Sequence, residues 1–271
     1  MYEQHWGFHK TPFANDSSPE SYFASSGHQS SLLKLRFLVN HRRGAGLLVG
    51  PCGAGKTRLL QALLPADSGI PVATVAYPLM SPLELLCFLV TELGEDHPAG
   101  AGTSLDVVLK QLIQLFRSLS AAGHPAVIVI DDAHTITDRQ VFQSLQLLLN
   151  LQQYPGVEFT LLLAGQPELA GMTRSLPQLD DRISIPCVLT AMTAAETSSY
   201  IQHRLRAAGG HDAIFNAAAL RAVHELSGGL PRRINRLCDF SLLVAFAEGL
   251  QSIDDWHIEA VSSELSLGRA A

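Results

Sequence analysis

Through the first 190 residues, short apolar runs alternate with longer segments whose apolar positions return every three or four residues. The runs at 47–49, 72–76, 127–130, 157–163 and 183–188 are too short for helices and read as strands. Those at 72–76 and 127–130 have the apolar, β-branched make-up of strands buried in a parallel sheet. Between the strands lie helix signals. Residues 58–64 form an apolar helix stopped by Pro65. In Ser81-Pro82-Leu83-Glu84 the serine can cap, the proline suits the first helical position and the glutamate completes a capping box. Leu85, Leu86, Leu89 and Val90 follow as its apolar stripe. Over 105–122, Leu105, Val108, Leu109, Leu112, Leu115, Phe116 and Leu119 keep helical spacing, and Gly123 and Pro125 end the element. Thr137-Asp138-Arg139-Gln140 reads as another capping box, leading into an amphipathic helix to about residue 153.

Strands separated by helices imply an α/β fold, a five-stranded parallel sheet covered on both faces, with a ligand at the strand C-termini. From Thr193 the strand pattern ceases. Three or four helices follow, with caps at Thr193 (paired with Glu196), Asn216 and Asp254 and stops at Gly209, Gly228 and Gly249. The expected division is an α/β domain over 1–190 and a small all-α domain over 191–271. Residues 94–103 read as a Gly/Pro-bearing connection, and 266–271 as a frayed tail.

Composition narrows the class. With 271 residues and 47% apolar content the chain can bury one large core, or a core with a smaller satellite. A net charge of −6 supplies no long-range attraction for a polyanion, so nucleic acid is not the default partner. No window approaches the roughly 20 apolar residues of a membrane span, and the start lacks signal-peptide features, so the expected location is cytoplasmic. Cys52, Cys87, Cys187 and Cys238 fit neither a disulfide framework nor paired metal-ligand spacing.

The densest chemistry follows the first strand. Gly50-Pro51-Cys52-Gly53-Ala54-Gly55-Lys56-Thr57 is a complete G-x-x-x-x-G-K-[ST] loop between a strand and a helix. Its glycines allow backbone N–H groups to converge on phosphate oxygens at a helix N-terminus, Lys56 reaches the β- and γ-phosphates and Thr57 offers a hydroxyl to Mg²⁺. Residues 50–57 and Arg58 are the expected contacts of a nucleoside triphosphate. The strand at 127–130 ends in Asp131 and Asp132, a pair that is electrostatically costly unless a cation is shared. Asp131 is the metal-side carboxylate, and Asp132 the acid that orients or activates the attacking water. Gln166, at the tip of the fourth strand, is a candidate nucleotide sensor. Arg182 and Arg232-Arg233 are candidate cations for a developing phosphoryl charge. Cys52 sits among the loop amides, where redox control competes with simple tolerance of a small side chain. His134 receives no role.

Taken in order, these pieces resemble an AAA+ ATPase, and more closely the secretion-ATPase type called general secretion pathway protein A. Distinctive segments are Tyr2 to Phe8 with Pro12-Phe13, Ala164-Gly-Gln-Pro-Glu-Leu169, Glu196 to Leu205, and Ser227-Gly-Gly-Leu-Pro-Arg232 through Asp239. The resemblance implies a P-loop core with a helical lid, using ATP and Mg²⁺. It makes Lys56 and Thr57 Walker A residues, Asp131 the Walker B metal ligand, Gln166 sensor 1 and Arg232 sensor 2. Arg182 becomes a finger reaching into a neighbour's site in an ATP-state homo-oligomer, and the expected partner belongs to a secretion or envelope complex. The N-terminal aromatic segment is expected to cover the adenine. Where the family usually has Glu, this chain has Asp132, whose carboxylate is withdrawn by about 1.5 Å. One alternative is thus a slowly hydrolysing ATP-gated switch. Another is a transposition- or initiator-like ATPase on DNA, for which His41-Arg42-Arg43 offers a local basic spot against an acidic background.

Overall fold

Strands β1 (Ala45–Val49), β2 (Val72–Val75), β3 (Ala126–Ile130), β4 (Phe159–Gly165) and β5 (Ile183–Val188) form one sheet in the order β2-β3-β4-β1-β5, every pairing parallel. They are seen in a computed structural model that describes residues 1–14, 18–42, 44–94 and 104–267. The connection over 95–103, Arg43 of the basic spot and 268–271 of the tail lie outside the described residues. Residues 266 and 267, read as frayed, continue the last helix.

The sheet belongs to a unit made of Gly27–Pro51 and Leu59–Leu189. Every residue of β1, β3 and β4 is buried, as helices on both faces require. β5 alternates partly and fully exposed positions up to Pro186, and an edge strand is where a proline without an N–H can sit. The helices that cover the sheet include α4 (Pro82–Leu93), α5 (Leu105–Ala121) and α6 (Arg139–Asn150). Their inward residues Leu89, Leu112, Phe116 and Leu145 are wholly buried, and the Phe116 ring stacks on Phe159 with centroids 4.6 Å apart. Burial of each such side chain is worth about 1.5–3 kcal/mol against exposure. Ser81 and Glu84 make the expected capping box of α4.

Two details depart from the sequence pattern. The cap of α6 is Asp138 rather than Thr137, its carboxylate accepting from the Gln140 N–H at 2.8 Å. β4 begins at Phe159 and runs to Gly165, because the backbone of Glu158 is bonded at both its N–H and its C=O to the Ser120 hydroxyl. Helix α2 (Ser26–Asn40) is absent from the sequence reading, because its buried face includes His28 and Ser31 beside Leu35 and Leu38 and so blurs the apolar stripe.

A second unit comprises Met1–Ser26, Cys52–Arg58 and Thr190–Ala271. Its helices α9 (Ala194–Ala207), α10 (Ala217–Ser227), α11 (Pro231–Ala247) and α12 (Asp255–Leu267) are those expected after Thr193. The division differs from a cut at 190, since the first 26 residues pack with the helices. Tyr2, Trp6, Phe8 and Phe13 are buried in the helical core, with Trp6 Nε1 donating to Leu242 O at 3.2 Å. Arg204 donates to the carbonyls of Pro12 (2.7 Å) and Ala14 (2.6 Å), and the Tyr2 hydroxyl donates to Asp239. Burial first, and that bond to Asp239 second, raise the Tyr2 pKa. These four rings are therefore committed to packing in this core.

Glu196 organises one end of this unit. It accepts from the Ser26 hydroxyl (2.7 Å), the Thr193 N–H (2.9 Å) and the Ser26 N–H (2.9 Å), which lower its pKa from 4.5 to about 2. A depressed carboxyl adds stability that is complete above its unfolded value and disappears as pH falls through the folded one. Glu196→Gln is thus expected to lower the thermal midpoint at pH 7, with the gap to wild type closing between about pH 4.5 and 2. A gap that stays constant over that window would rule out the ionised carboxylate as its source.

Candidate functional site

The register of the sheet sets which strand ends are neighbours. Val49 of β1 pairs with Gly165 of β4, and Ile130 of β3 pairs with Leu163. Gly50, Gln166 and the pair Asp131-Asp132 thus emerge from three adjacent strands on one edge, each about 4.8 Å from the next, where parallel sheets bind ligands.

The root of the loop is pinned. Gly50 N–H donates to Gly165 O at 3.2 Å, Leu189 N–H donates to Val49 O at 2.8 Å, and a Cβ on Gly50 would stand 2.9 Å from Leu189 O. Gly50 was an expected phosphate contact, but its N–H is taken by the sheet, and Pro51 has none to give.

Within the helical unit the loop tip takes the backbone its glycines predict, with Gly53 at φ +80° and Gly55 at φ +94°. Helix α3 (Lys56–Leu63) opens directly after, so the positive end of its dipole lies at the loop. Lys56 is buried, 7% exposed, and Thr57 is exposed. The N-terminus of α11 lies against this loop: Arg232 N–H donates to Gly53 O at 3.3 Å, and its guanidinium Nη1 is 3.6 Å from Cys52 Sγ. Any Cβ at Gly53 would sit 2.8 Å from Arg232 Cβ, so the glycine serves both the turn and this close approach. An exposed Arg232 beside the amides is placed to meet phosphate oxygens. Arg58, expected at the nucleotide, instead donates to Ser18 O (3.0 Å) and Ser21 Oγ (3.4 Å) and lies 5.9 Å from the Tyr22 ring centroid. In this structure its side chain anchors the N-terminal segment.

Within the sheet unit, the Asp131 N–H extends the ladder to Val75 O at 3.0 Å. Asp131 Oδ1 accepts from the Asp132 N–H at 2.9 Å. Asp132 has φ +48° and ψ +34°, a left-handed conformation that Asp tolerates better than most residues. Its carboxylate is 60% exposed. Gln166 Nε2 lies 2.8 Å from His134 Nε2, a partner the sequence reading passed over although it stands two positions beyond the acids. Among the described residues no group of three or more His, Cys, Asp or Glu could hold a metal alone. Mg²⁺ carried by phosphates needs only one or two protein oxygens, and the Thr57 hydroxyl and Asp131 carboxylate are hard donors of that kind.

Arg182 stands apart from these groups. It precedes β5, at the opposite edge of the sheet, where Nη2 donates to Asn150 Oδ1 (2.8 Å) and Nη1 to Leu149 O (3.4 Å). No helix among the described residues is long and apolar enough to cross a membrane.

Residues 39–173 match the AAA domain family. General secretion pathway protein A of Aeromonas hydrophila is 33% identical over 98% of the chain, which spans 49% of that relative. Among solved structures, the Aeropyrum pernix ORC2 protein with ADPNP and ADP has a TM-score of 0.72 at 19% identity, covering 94% of this chain and 71% of its own. The Aeropyrum pernix ORC1 protein in complex with DNA has a TM-score of 0.71 at 17% identity, covering 95% and 70%. At these identities the two structures speak for the fold. With a phosphate loop and a carboxylate strand on a five-stranded parallel sheet, residues 39–173 form an AAA domain, and the chain as a whole is similar to general secretion pathway protein A.

Proposed function

We propose that this module binds ATP with Mg²⁺ and hydrolyses it, coupling nucleotide state to conformational or assembly work. The observation that carries the reading is the approach of α11 to the phosphate loop, with Arg232 bonded to Gly53 and its guanidinium beside Cys52. A cation on a separate helix, held against phosphate-binding amides, gives the helical unit a group that responds to whether a γ-phosphate is bound. Loop amides from Cys52 to Thr57 and the Lys56 ammonium would hold the triphosphate tail. Thr57 and Asp131 would hold Mg²⁺, which shields phosphate charge. Asp132 would orient the attacking water, and Gln166 would sense the γ-phosphate. Arg182 would serve a neighbouring copy in an ATP-state homo-oligomer, once released from Asn150. A cytoplasmic placement and a partner in a secretion or envelope complex are proposed from the likeness to the Aeromonas protein.

Phosphate release and nucleotide binding test this together. Purified protein is expected to bind ATP with thermal protection and to release phosphate only with Mg²⁺ present. EDTA should stop turnover, and Asp132→Asn should lower it by about 100-fold. Absence of any binding heat for ATP or ADP would end the proposal. Tight binding without turnover would leave the switch reading. A DNA-loading role is favoured by the fold likeness to an ORC1 protein in complex with DNA, and retention of duplex DNA that weakens steeply with salt would support it.

A further inference from the structure

His134 lies between the acid pair and Gln166, and neither motif accounts for it. Its ring is 15% exposed, with Nε2 2.8 Å from Gln166 Nε2 and Nδ1 3.8 Å from Asp132 Oδ1. Nδ1 is buried and has no hydrogen-bond partner. An amide nitrogen carries protons and no available lone pair, so at this contact Gln166 donates and His134 Nε2 accepts. The neutral ring then bears its proton on Nδ1, the atom that faces the Asp132 carboxylate. A separation of 3.8 Å is too long for a hydrogen bond but is closed by a small ring rotation. Gly165 makes the seat: a Cβ there would stand 3.1 Å from His134 N and 3.2 Å from Nδ1.

We propose that His134 is a positioning residue through which Gln166 and Asp132 are coupled. The inference rests on the nucleotide reading above, and specifically on Gln166 as the sensor of the γ-phosphate. When Gln166 turns its amide toward that phosphate, the ring loses its partner at Nε2. It is then free to bring Nδ1–H onto the Asp132 carboxylate. No proton is transferred; the donor on Nδ1 only changes from unpaired to bonded. The effect is to hold a carboxylate that is one methylene shorter than Glu, and 60% exposed, in one orientation when triphosphate is present. Hydrolysis-competent geometry is thereby tied to the sensed nucleotide rather than to Asp132 alone.

The test has a spectroscopic arm and a kinetic arm, both on the full chain. Imidazole ¹⁵N resonances, with His134 assigned by comparison to His134→Gln, are expected to show the Nδ1–H tautomer in nucleotide-free protein. A non-hydrolysable ATP analogue with Mg²⁺ should shift the His134 Nδ1 resonance, and Gln166→Ala should abolish that shift. Kinetically, His134→Ala should lower kcat by about tenfold or more with KM changed less than about twofold. His134→Asn, whose amide can replace Nδ1–H, should recover most of the loss. The His134→Ala/Gln166→Ala double variant should be no slower than the slower single. An Nε2–H tautomer, an analogue that binds without shifting Nδ1, or losses that multiply in the double variant would each overturn the coupling. If wild-type phosphate release does not exceed that of Lys56→Ala, hydrolysis is the reading that falls, and the resonance shift alone decides the coupling.

Discussion

Replacing Lys56 with alanine is expected to weaken ATP binding by about 10- to 100-fold and to cut phosphate release by about 100-fold or more. The loss is large because the ammonium is 7% exposed at the first residue of α3, where water screens it poorly and the helix N-terminus adds to the same positive field. Removing it leaves the loop amides but withdraws the charge that matches the terminal phosphates. A fluorescent nucleotide titration and a phosphate-release assay measure the two effects. Arg58→Ala is the informative companion. Its guanidinium is bonded to Ser18 and Ser21, so it should lower stability while leaving nucleotide affinity within about twofold. Equal losses of affinity in the two variants would contradict the assignment of Lys56 to phosphate and Arg58 to the N-terminal segment.

The second large effect is on folding. Gly228 and Gly229 are adjacent and both left-handed, at φ +61° and +69°, but their surroundings differ. A Cβ on Gly228, which ends α10, meets nothing within 4 Å. A Cβ on Gly229 would stand 2.2 Å from Met192 O and 3.1 Å from Met192 N, and Met192 N–H already donates to Gly229 O at 2.9 Å. Gly228→Ala is expected to cost only the backbone strain, about 1–2 kcal/mol. Gly229→Ala must also push apart a backbone pair, raising the cost to about 4 kcal/mol or more. It should also displace Pro231 and Arg232, which follow at the start of α11. Urea unfolding of both variants distinguishes the terms, and equal midpoints would show that the crowding relaxes freely.

What was legible in the chain was local in origin. The phosphate loop could be read because its spacing is contiguous and Gly53 and Gly55 stand where φ is positive. The Ser81–Glu84 and Thr193–Glu196 boxes span four residues each, and both form as read. Legibility failed where one side chain serves two distant segments. Arg58 sits next to the motif, yet Ser18 and Ser21 claim it. Gly50 begins the motif, yet its N–H belongs to β4. The N-terminal aromatics suggest a base-stacking surface in sequence, but in the folded chain they complete the core of the helical unit.

The amino-acid order alone determined the five strands, the ends of most helices, the phosphate loop and the acids at the tip of β3. Each depends on residues within a few positions of one another, through side-chain period, capping and backbone sterics. Only tertiary structure decided that Arg232 bears on Gly53, that Arg182 lies at the far edge of the sheet, and that His134 stands between Gln166 and Asp132. Those relations join residues tens to more than a hundred positions apart or turn on the rotation of a single ring, and neither periodicity nor motif spacing encodes such contacts.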